Sequence, residues 1–288
     1  MKSNALLSAL LSAGAADPAG VVPASQPFLT PHAVHPETAL LGAGICALAV
    51  WIVRRATRPA KLRLGNTPGR PNSLTPLHVL AVYIPWIAAQ QLLPHENFHA
   101  QLLGILVSEA FWLAVCLTVA KLTFRHGLAR GLGLSLRHWV YDSLRGIVGY
   151  LVIVPACIGL YALTERLAPR SAEEVHLFLR QLPGEALAWK IVIVFCAVVV
   201  APVAEEVFFR GLIQSMLRRY TRAPWLAILL TSAFFALQHP QWKDMPTLFA
   251  LSVALGYNYE RCGRLLPSIL AHALFNGANI WLLFAQPP

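Results

Sequence analysis

Long apolar stretches separated by short polar segments dominate the pattern of this chain. Eight of them have the length and composition of membrane helices, although several are shorter than the ~20 residues that a full crossing needs. They cover about 38–53, 77–93, 102–120, 147–163, 191–217, 224–238, 247–259 and 265–284. The pattern predicts an all-α fold, a polytopic membrane helix bundle with about eight transmembrane helices.

The same pattern divides the chain into four parts. Residues 1–37 are predicted to be an N-terminal tail or a weak signal peptide, because a short apolar run is followed there by Ala13-Gly14-Ala15. Residues 38–165 hold the N-terminal transmembrane helices, and residues 166–190 form an extracytoplasmic loop. Residues 191–285 form the C-terminal transmembrane core.

Composition supports a membrane protein. The 288 residues are 57% hydrophobic and 12% charged, whereas soluble domains carry about 25% charged residues. The net charge of +10 comes without a clustered basic face or a nucleic-acid-binding motif, so no nucleic-acid partner is expected. The five cysteines are scattered without CxxC spacing, which is typical of buried thiols.

Basic residues concentrate in alternate loops. The loop at 54–70 is the most basic, and the loops after the third, fifth and seventh apolar stretches are also rich in arginine. The positive-inside rule then places both termini outside the cytoplasm. We expect an integral protein of a bacterial-type plasma (inner) membrane.

Three charged residues lie inside the fifth apolar stretch. Glu206 and Arg210 are spaced i,i+4 on a helix, which favours an ion pair. Glu205 lies about 100° around the helix from Glu206 and lacks that partner. Charges at membrane depth are retained for function or for a neutralising partner, so Glu205 is the candidate for chemistry. The pair alone is also consistent with a purely structural role.

Two later stretches bring further polar groups to membrane depth. His239 ends the sixth stretch, and the eighth carries a polar stripe at helical spacing that should face the bundle interior. The stripe consists of Ser268, His272, Asn276 and Asn279. A single histidine of this kind often forms only a helix-to-helix hydrogen bond, but two imidazoles, an amide and a carboxylate at similar depth indicate one shared site.

Three motifs on separate apolar stretches carry a family resemblance. Glu-Glu-x-x-x-Arg begins at Glu205, Phe-x-x-x-His ends at His239, and His-x-x-x-Asn begins at His272. In this order they resemble the CAAX prenyl protease and bacteriocin-processing family of intramembrane endopeptidases, also called the Abi family. The resemblance covers about residues 190–284.

The resemblance implies a glutamate-type intramembrane endopeptidase whose catalytic core is 191–285. Glu205 would be the general base that activates water, assisted by His239. His272 and Asn276 would donate hydrogen bonds to the oxyanion. Glu206 and Arg210 would support the site. The implied partners are membrane lipid and a peptide or lipidated-peptide substrate, with the active site open to the cytoplasm.

Metal dependence is the main mechanistic alternative. No cofactor is expected, but Glu205, His239 and His272 are also the ligand types of a catalytic zinc site. The sequence His95-Glu96-Asn97-Phe98-His99 fits H-E-x-x-H. Because it follows Pro94 in a short outer loop, we interpret it as a polar turn rather than a metalloprotease site.

Two non-proteolytic functions also fit the polar pattern. A non-catalytic membrane scaffold or immunity protein would use the same side chains only to hold helices together. A proton-coupled transporter would use Glu205, His239 and His272 as a relay. Substitution of Glu205 separates these hypotheses from proteolysis.

Overall fold

The computed structural model describes residues 36–57, 64, 70–93, 97–169 and 182–285. The regular secondary structure in these ranges is helical, apart from one isolated β-bridge between Asn72 and Phe124, so the all-α prediction is confirmed. The long helices are Pro36–Thr57 (α1), Pro76–Gln91 (α2), Phe98–Thr123 (α3), Trp139–Leu167 (α4), Leu187–Thr221 (α5), Pro224–Leu237 (α6), Met245–Cys262 (α7) and Leu266–Ala285 (α8).

Each long helix coincides with one predicted apolar stretch. Three of them, α3, α4 and α5, are long and apolar enough to cross a membrane, and α1 and α6 contain shorter apolar segments. The chain is therefore an integral membrane protein. The number of eight crossings stays a prediction, as do the membrane's identity and the orientation.

Parts of the predicted domain organisation fall on residues outside the described ranges. Of the tail or signal peptide at 1–37, only the last two residues are described, and they begin α1. The predicted loop at 166–190 overlaps the end of α4 at Leu167 and the start of α5 at Leu187, and only the residues between these helices connect them. Most of that loop, 170–181, is outside the described residues.

Helix α4 begins eight residues before the apolar stretch that predicts it. The predicted apolar stretch begins at residue 147 and therefore does not include Asp142. In the structure Asp142 is fully buried and its carboxylate lies 2.6 Å from a guanidinium nitrogen of Arg264, in the turn between α7 and α8. This neutralising partner allows the helix to start at Trp139.

Helix α5 is not a regular α-helix along its length. Two π-helical segments, Cys196–Val200 and Val207–Gln214, flank the short α-helical segment Ala201–Glu206. Pro202 lacks an amide proton and its ring crowds the preceding turn, which accounts for a widened turn before it. Segments of this kind occur frequently at functional sites, and here they bracket Glu205 and Glu206.

Helix α5 is central to the bundle and lies against α3, α6 and α8. Contacts between aromatic rings connect these elements. Trp86 of α2 stacks on Trp112 of α3 with centroids 4.4 Å apart, and Trp112 lies 4.8 Å from Phe208 of α5. Phe209 of α5 contacts Phe235 of α6 at 5.0 Å. Close packing of this kind holds the polar residues of α5 in fixed positions.

Helices α4 and α8 approach closely because a glycine lies between them. A Cβ atom at Gly146 would come within 2.9 Å of the Pro267 carbonyl oxygen and of the Leu270 Cβ. Neither atom is the end of a flexible side chain. The absent side chain of Gly146 therefore sets the position of the first turn of α8, the helix that carries His272.

Candidate active site

The carboxylate of Glu206 lies at the centre of a buried polar cluster. Its Oε1 accepts hydrogen bonds from Arg210 Nη1 at 2.7 Å and from His272 Nδ1 at 2.9 Å. All three side chains are fully buried. The i,i+4 ion pair expected from the sequence is confirmed, and α5 is joined to α8 through the same carboxylate oxygen.

Arg210 is held from a second helix as well. Its Nη2 donates to the Ser252 hydroxyl at 2.8 Å and to the Ser252 carbonyl at 3.2 Å on α7. The guanidinium also lies 5.0 Å from the centre of the Phe235 ring on α6, within cation–π range. The sequence reasoning missed Ser252, because a single serine in an apolar helix carries no signal that separates it from a neutral surface position.

Glu205 has a different environment from its neighbour. It is 7% exposed, and its Oε2 lies 3.9 Å from His272 Nε2. That separation is too long for a hydrogen bond. Among the described residues, neither of these two atoms has a hydrogen-bond partner. Glu205 thus reaches the same histidine as Glu206, from the opposite side of its ring.

His239 lies just beyond the end of α6 and is buried. Its Nδ1 donates to the carbonyl of Phe235, one turn earlier, at 2.9 Å. Within the described residues its Nε2 has no partner. The Phe235 ring lies 5.0 Å from His239 and 5.8 Å from His272. Phe235 therefore contacts both imidazoles and the guanidinium of Arg210.

Asn276 lies one turn after His272 on α8 and is fully buried. Its Nδ2 donates to the Ala197 carbonyl at 2.8 Å, within the first π-helical segment of α5. Its Oδ1 has no partner among the described residues. The irregular backbone of α5 thus gives Asn276 an acceptor and connects the second half of α8 to α5.

The predicted polar stripe of α8 faces the interior over most of its length. Ser268, His272 and Asn276 are fully buried, and the Ser268 hydroxyl donates to the Leu255 carbonyl of α7 at 2.8 Å. Asn279 is only partly buried and donates to the Phe275 carbonyl of its own helix. The stripe therefore faces the interior as far as Asn276.

Glu109 of α3 is another carboxylate at membrane depth. Trp86 Nε1 donates to its Oε1 at 3.3 Å, and its Oε2 has no partner in the described part of the chain. It does not pair with Arg145, whose Nη1 donates to the Tyr141 hydroxyl. Glu109 lies close enough to Glu205 to interact with it electrostatically.

A metal site would require a cluster of ligand side chains. Across the described ranges, no group of three or more His, Cys, Asp or Glu side chains is arranged to hold a metal ion. Of the H-E-x-x-H sequence, His95 and Glu96 lie outside the described residues, and His99 pairs with Glu185 at 2.9 Å. Metal-free catalysis stays a prediction.

Two bacterial proteins are similar in sequence to this chain. An uncharacterized 24.3 kDa protein of Escherichia coli is 30% identical over 144 residues, 48% of this chain and 62% of that protein. The Bacillus subtilis (strain 168) protein named "Putative membrane peptidase YdiL" is 27% identical over 192 residues, 63% of this chain and 72% of that protein. No solved structure matches the chain significantly.

The C-terminal part also matches a family described as type II CAAX prenyl endopeptidase Rce1-like, over residues 187–278. This range contains all three motifs and ends two residues after Asn276. The family resemblance that the motifs predict is therefore confirmed for residues 187–278, which match the Rce1-like type II CAAX prenyl endopeptidases.

Proposed function

We propose that this chain is an intramembrane endopeptidase in which Glu205 is the general base that activates water. One observation carries the proposal: of two adjacent buried carboxylates, Glu206 is neutralised by Arg210, whereas Glu205 faces an imidazole without a hydrogen bond. The Rce1-like match and the membrane-peptidase name of a relative support a protease. The family match covers about a third of the chain, so the activity of the whole protein is part of the proposal.

The proposed reaction is hydrolysis of a peptide bond. Water loses a proton to Glu205, assisted by the free Nε2 of His239, and its oxygen attacks the carbonyl carbon. The C–N bond then breaks and the amine takes up a proton. His272 and Asn276 face the oxyanion, where one well-placed donor is typically worth about 3 kcal/mol. Glu206 and Arg210 support the site, and no cofactor takes part.

The proposed substrate is a peptide or lipidated peptide that reaches the site from the membrane and the cytoplasmic side. The proposed orientation is supported by basic residues in the turns that the sequence predicts to be cytoplasmic. Arg70 donates to the Tyr259 carbonyl, Arg218 pairs with Glu260, and Arg264 pairs with Asp142. Such arginines are typical of cytoplasmic loops. A bacterial-type plasma membrane is the proposed location.

The decisive experiment uses purified protein in detergent with a peptide library and prenylated C-a-a-X peptides. Glu205→Gln should lower kcat by at least about 10²-fold, the usual minimum for loss of a general base, at unchanged helical content. Glu185→Gln is the control, since Glu185 pairs with His99 before α5, away from the site.

Other outcomes would favour the alternatives. If Glu205→Gln lowers only the folding yield and no peptide is cleaved by the wild-type protein, the polar cluster is a structural scaffold. If the protein cleaves nothing but carries protons into liposomes, a transporter is favoured. Either result would refute the proposed function.

A further inference from the structure

The protonation of Glu206 follows from its partner. The guanidinium of Arg210 is fully buried and keeps its charge in proteins. Its ion-pair partner at 2.7 Å is Glu206, and a buried charge requires such a counter-ion. Glu206 is therefore an anion that can only accept hydrogen bonds.

The negative charge of Glu206 determines the tautomer of His272. Because Glu206 Oε1 accepts at 2.9 Å, His272 Nδ1 carries a proton. A neutral imidazole has one N–H, so Nε2 of His272 holds a lone pair. This is the nitrogen that faces Glu205 Oε2 at 3.9 Å.

The other candidate histidine presents an acceptor in the same way. His239 uses its Nδ1 proton on the Phe235 carbonyl, which leaves a lone pair on Nε2. Asn276 uses one of its two amide N–H groups on the Ala197 carbonyl, which leaves the second as a donor, and its Oδ1 has no partner among the described residues. An oxyanion requires donors. The role of His272 at the oxyanion therefore requires that its Nε2 first receive a proton.

We propose that His272 is the proton carrier of the reaction, with Glu206 as the positioning residue that fixes its tautomer. This inference rests on the proposed function. The O–H bond of water breaks, its oxygen bonds to the carbonyl carbon, and its proton passes through Glu205 to His272 Nε2. The imidazolium, flanked by Glu205 and Glu206, then donates to the oxyanion. When the C–N bond breaks, the same proton goes to the amine nitrogen.

This arrangement has the physical logic of a buried carboxylate that orients a histidine in a hydrolytic triad. The orienting carboxylate is itself oriented, because Arg210 is anchored on α7 by the Ser252 hydroxyl and carbonyl. Ser252 is thus a second positioning residue, three hydrogen bonds away from His272 Nε2. Its effect should reach the reaction only through Arg210 and Glu206.

The direct test is the tautomer of His272 in the full-length protein. Two-bond ¹H–¹⁵N spectra of histidine-labelled protein in detergent at neutral pH distinguish the ring nitrogens, and the signals lost in His272→Gln assign the ring. We expect a protonated Nδ1 and a lone pair on Nε2, in the wild-type protein and in Glu205→Gln. A protonated Nε2, alone or together with Nδ1, would overturn the proposal even if peptides are cleaved.

Kinetics provide the second test. Glu206→Gln should lower kcat by about 10³-fold or more, comparable with tautomer loss in a triad, while KM changes by less than about threefold. Ser252→Ala should lower kcat by roughly tenfold with KM unchanged, and Ser252→Thr, which keeps the hydroxyl, should recover it. Wild-type kcat in a folded Glu206→Gln variant would refute the carrier role.

The two proposals fail in different ways. If Glu206→Gln does not fold, the spectra of Glu205→Gln still report the tautomer, because its Glu206, Arg210 and His272 are unchanged. Absence of cleavage by the wild-type protein, with the expected tautomer, would refute the protease proposal and leave the orienting contact as a structural one. Cleavage with the wrong tautomer would refute only the carrier role.

Discussion

Replacement of Arg210 by methionine should destabilise the protein severely. The change removes the 2.7 Å ion pair with Glu206 and both hydrogen bonds to Ser252. Because all three side chains are fully buried, Glu206 would keep a charge with only His272 as its partner. Removal of one member of a buried pair typically costs about 3–5 kcal/mol, a large part of a stability of about 5–15 kcal/mol.

The loss of stability in Arg210→Met should come mainly from the unpaired charge of Glu206. Lost packing should contribute less, because methionine retains most of the apolar part of the arginine side chain. The double variant Arg210→Met with Glu206→Gln removes that charge. We expect it to recover about 2 kcal/mol relative to Arg210→Met alone, within the usual range for residues in one network.

The assay is equilibrium unfolding in mixed detergent, followed by circular dichroism. Arg137→Met is the control, since Arg137 is exposed in the turn before α4, and it should change the free energy of unfolding little. If Arg210→Met loses less than about 1 kcal/mol, or the double variant is no more stable than Arg210→Met, the reasoning from a buried charge pair is refuted.

Three further predictions concern the framework and the metal. Gly146→Ala should destabilise the protein and lower kcat by displacing the first turn of α8, whereas Gly159→Ala on the same helix, with open space around it, should be neutral or slightly stabilising in the same unfolding assay. Asp142→Asn should weaken the bond to Arg264 and lower the free energy of unfolding by about 1–3 kcal/mol. Zinc measured by mass spectrometry should be absent from active protein, and a chelator should leave kcat unchanged; stoichiometric zinc would refute this.

The positions of the helices could be predicted because apolar runs of sufficient length have few alternatives in a membrane. Local spacing also predicted the pair of Glu206 and Arg210, since i,i+4 neighbours meet on any helix. The early start of α4 could not be predicted. It depends on Arg264, which is 122 residues away from Asp142 in the sequence, and a tertiary contact of this kind leaves no local pattern.

Within the site, the contacts between helices could not be predicted from the sequence either. The motif order indicates that His272 belongs with Glu205 and Glu206, but it does not say which carboxylate bonds to which ring nitrogen. That distinction depends on how α8 is rotated against α5, and α5 contains two π-helical segments that change the direction of its side chains. In the sequence of this part of α5, only Pro202 indicates that the helix is irregular.

The different roles proposed for Glu205 and Glu206 arise from their neighbours rather than from their chemistry. Both carboxylates occupy the same apolar segment of α5, and a buried anion there requires compensation. Arg210, one turn away, supplies it to Glu206 and stays attached to Ser252. Glu205 has no such cation beside it in the contacts described above, and its Oε2 lies 3.9 Å from His272 Nε2. Exchange of the two environments, rather than of the two residues, would exchange their roles, because a carboxylate fixed by a guanidinium can orient a base but is poorly suited to take a proton from water.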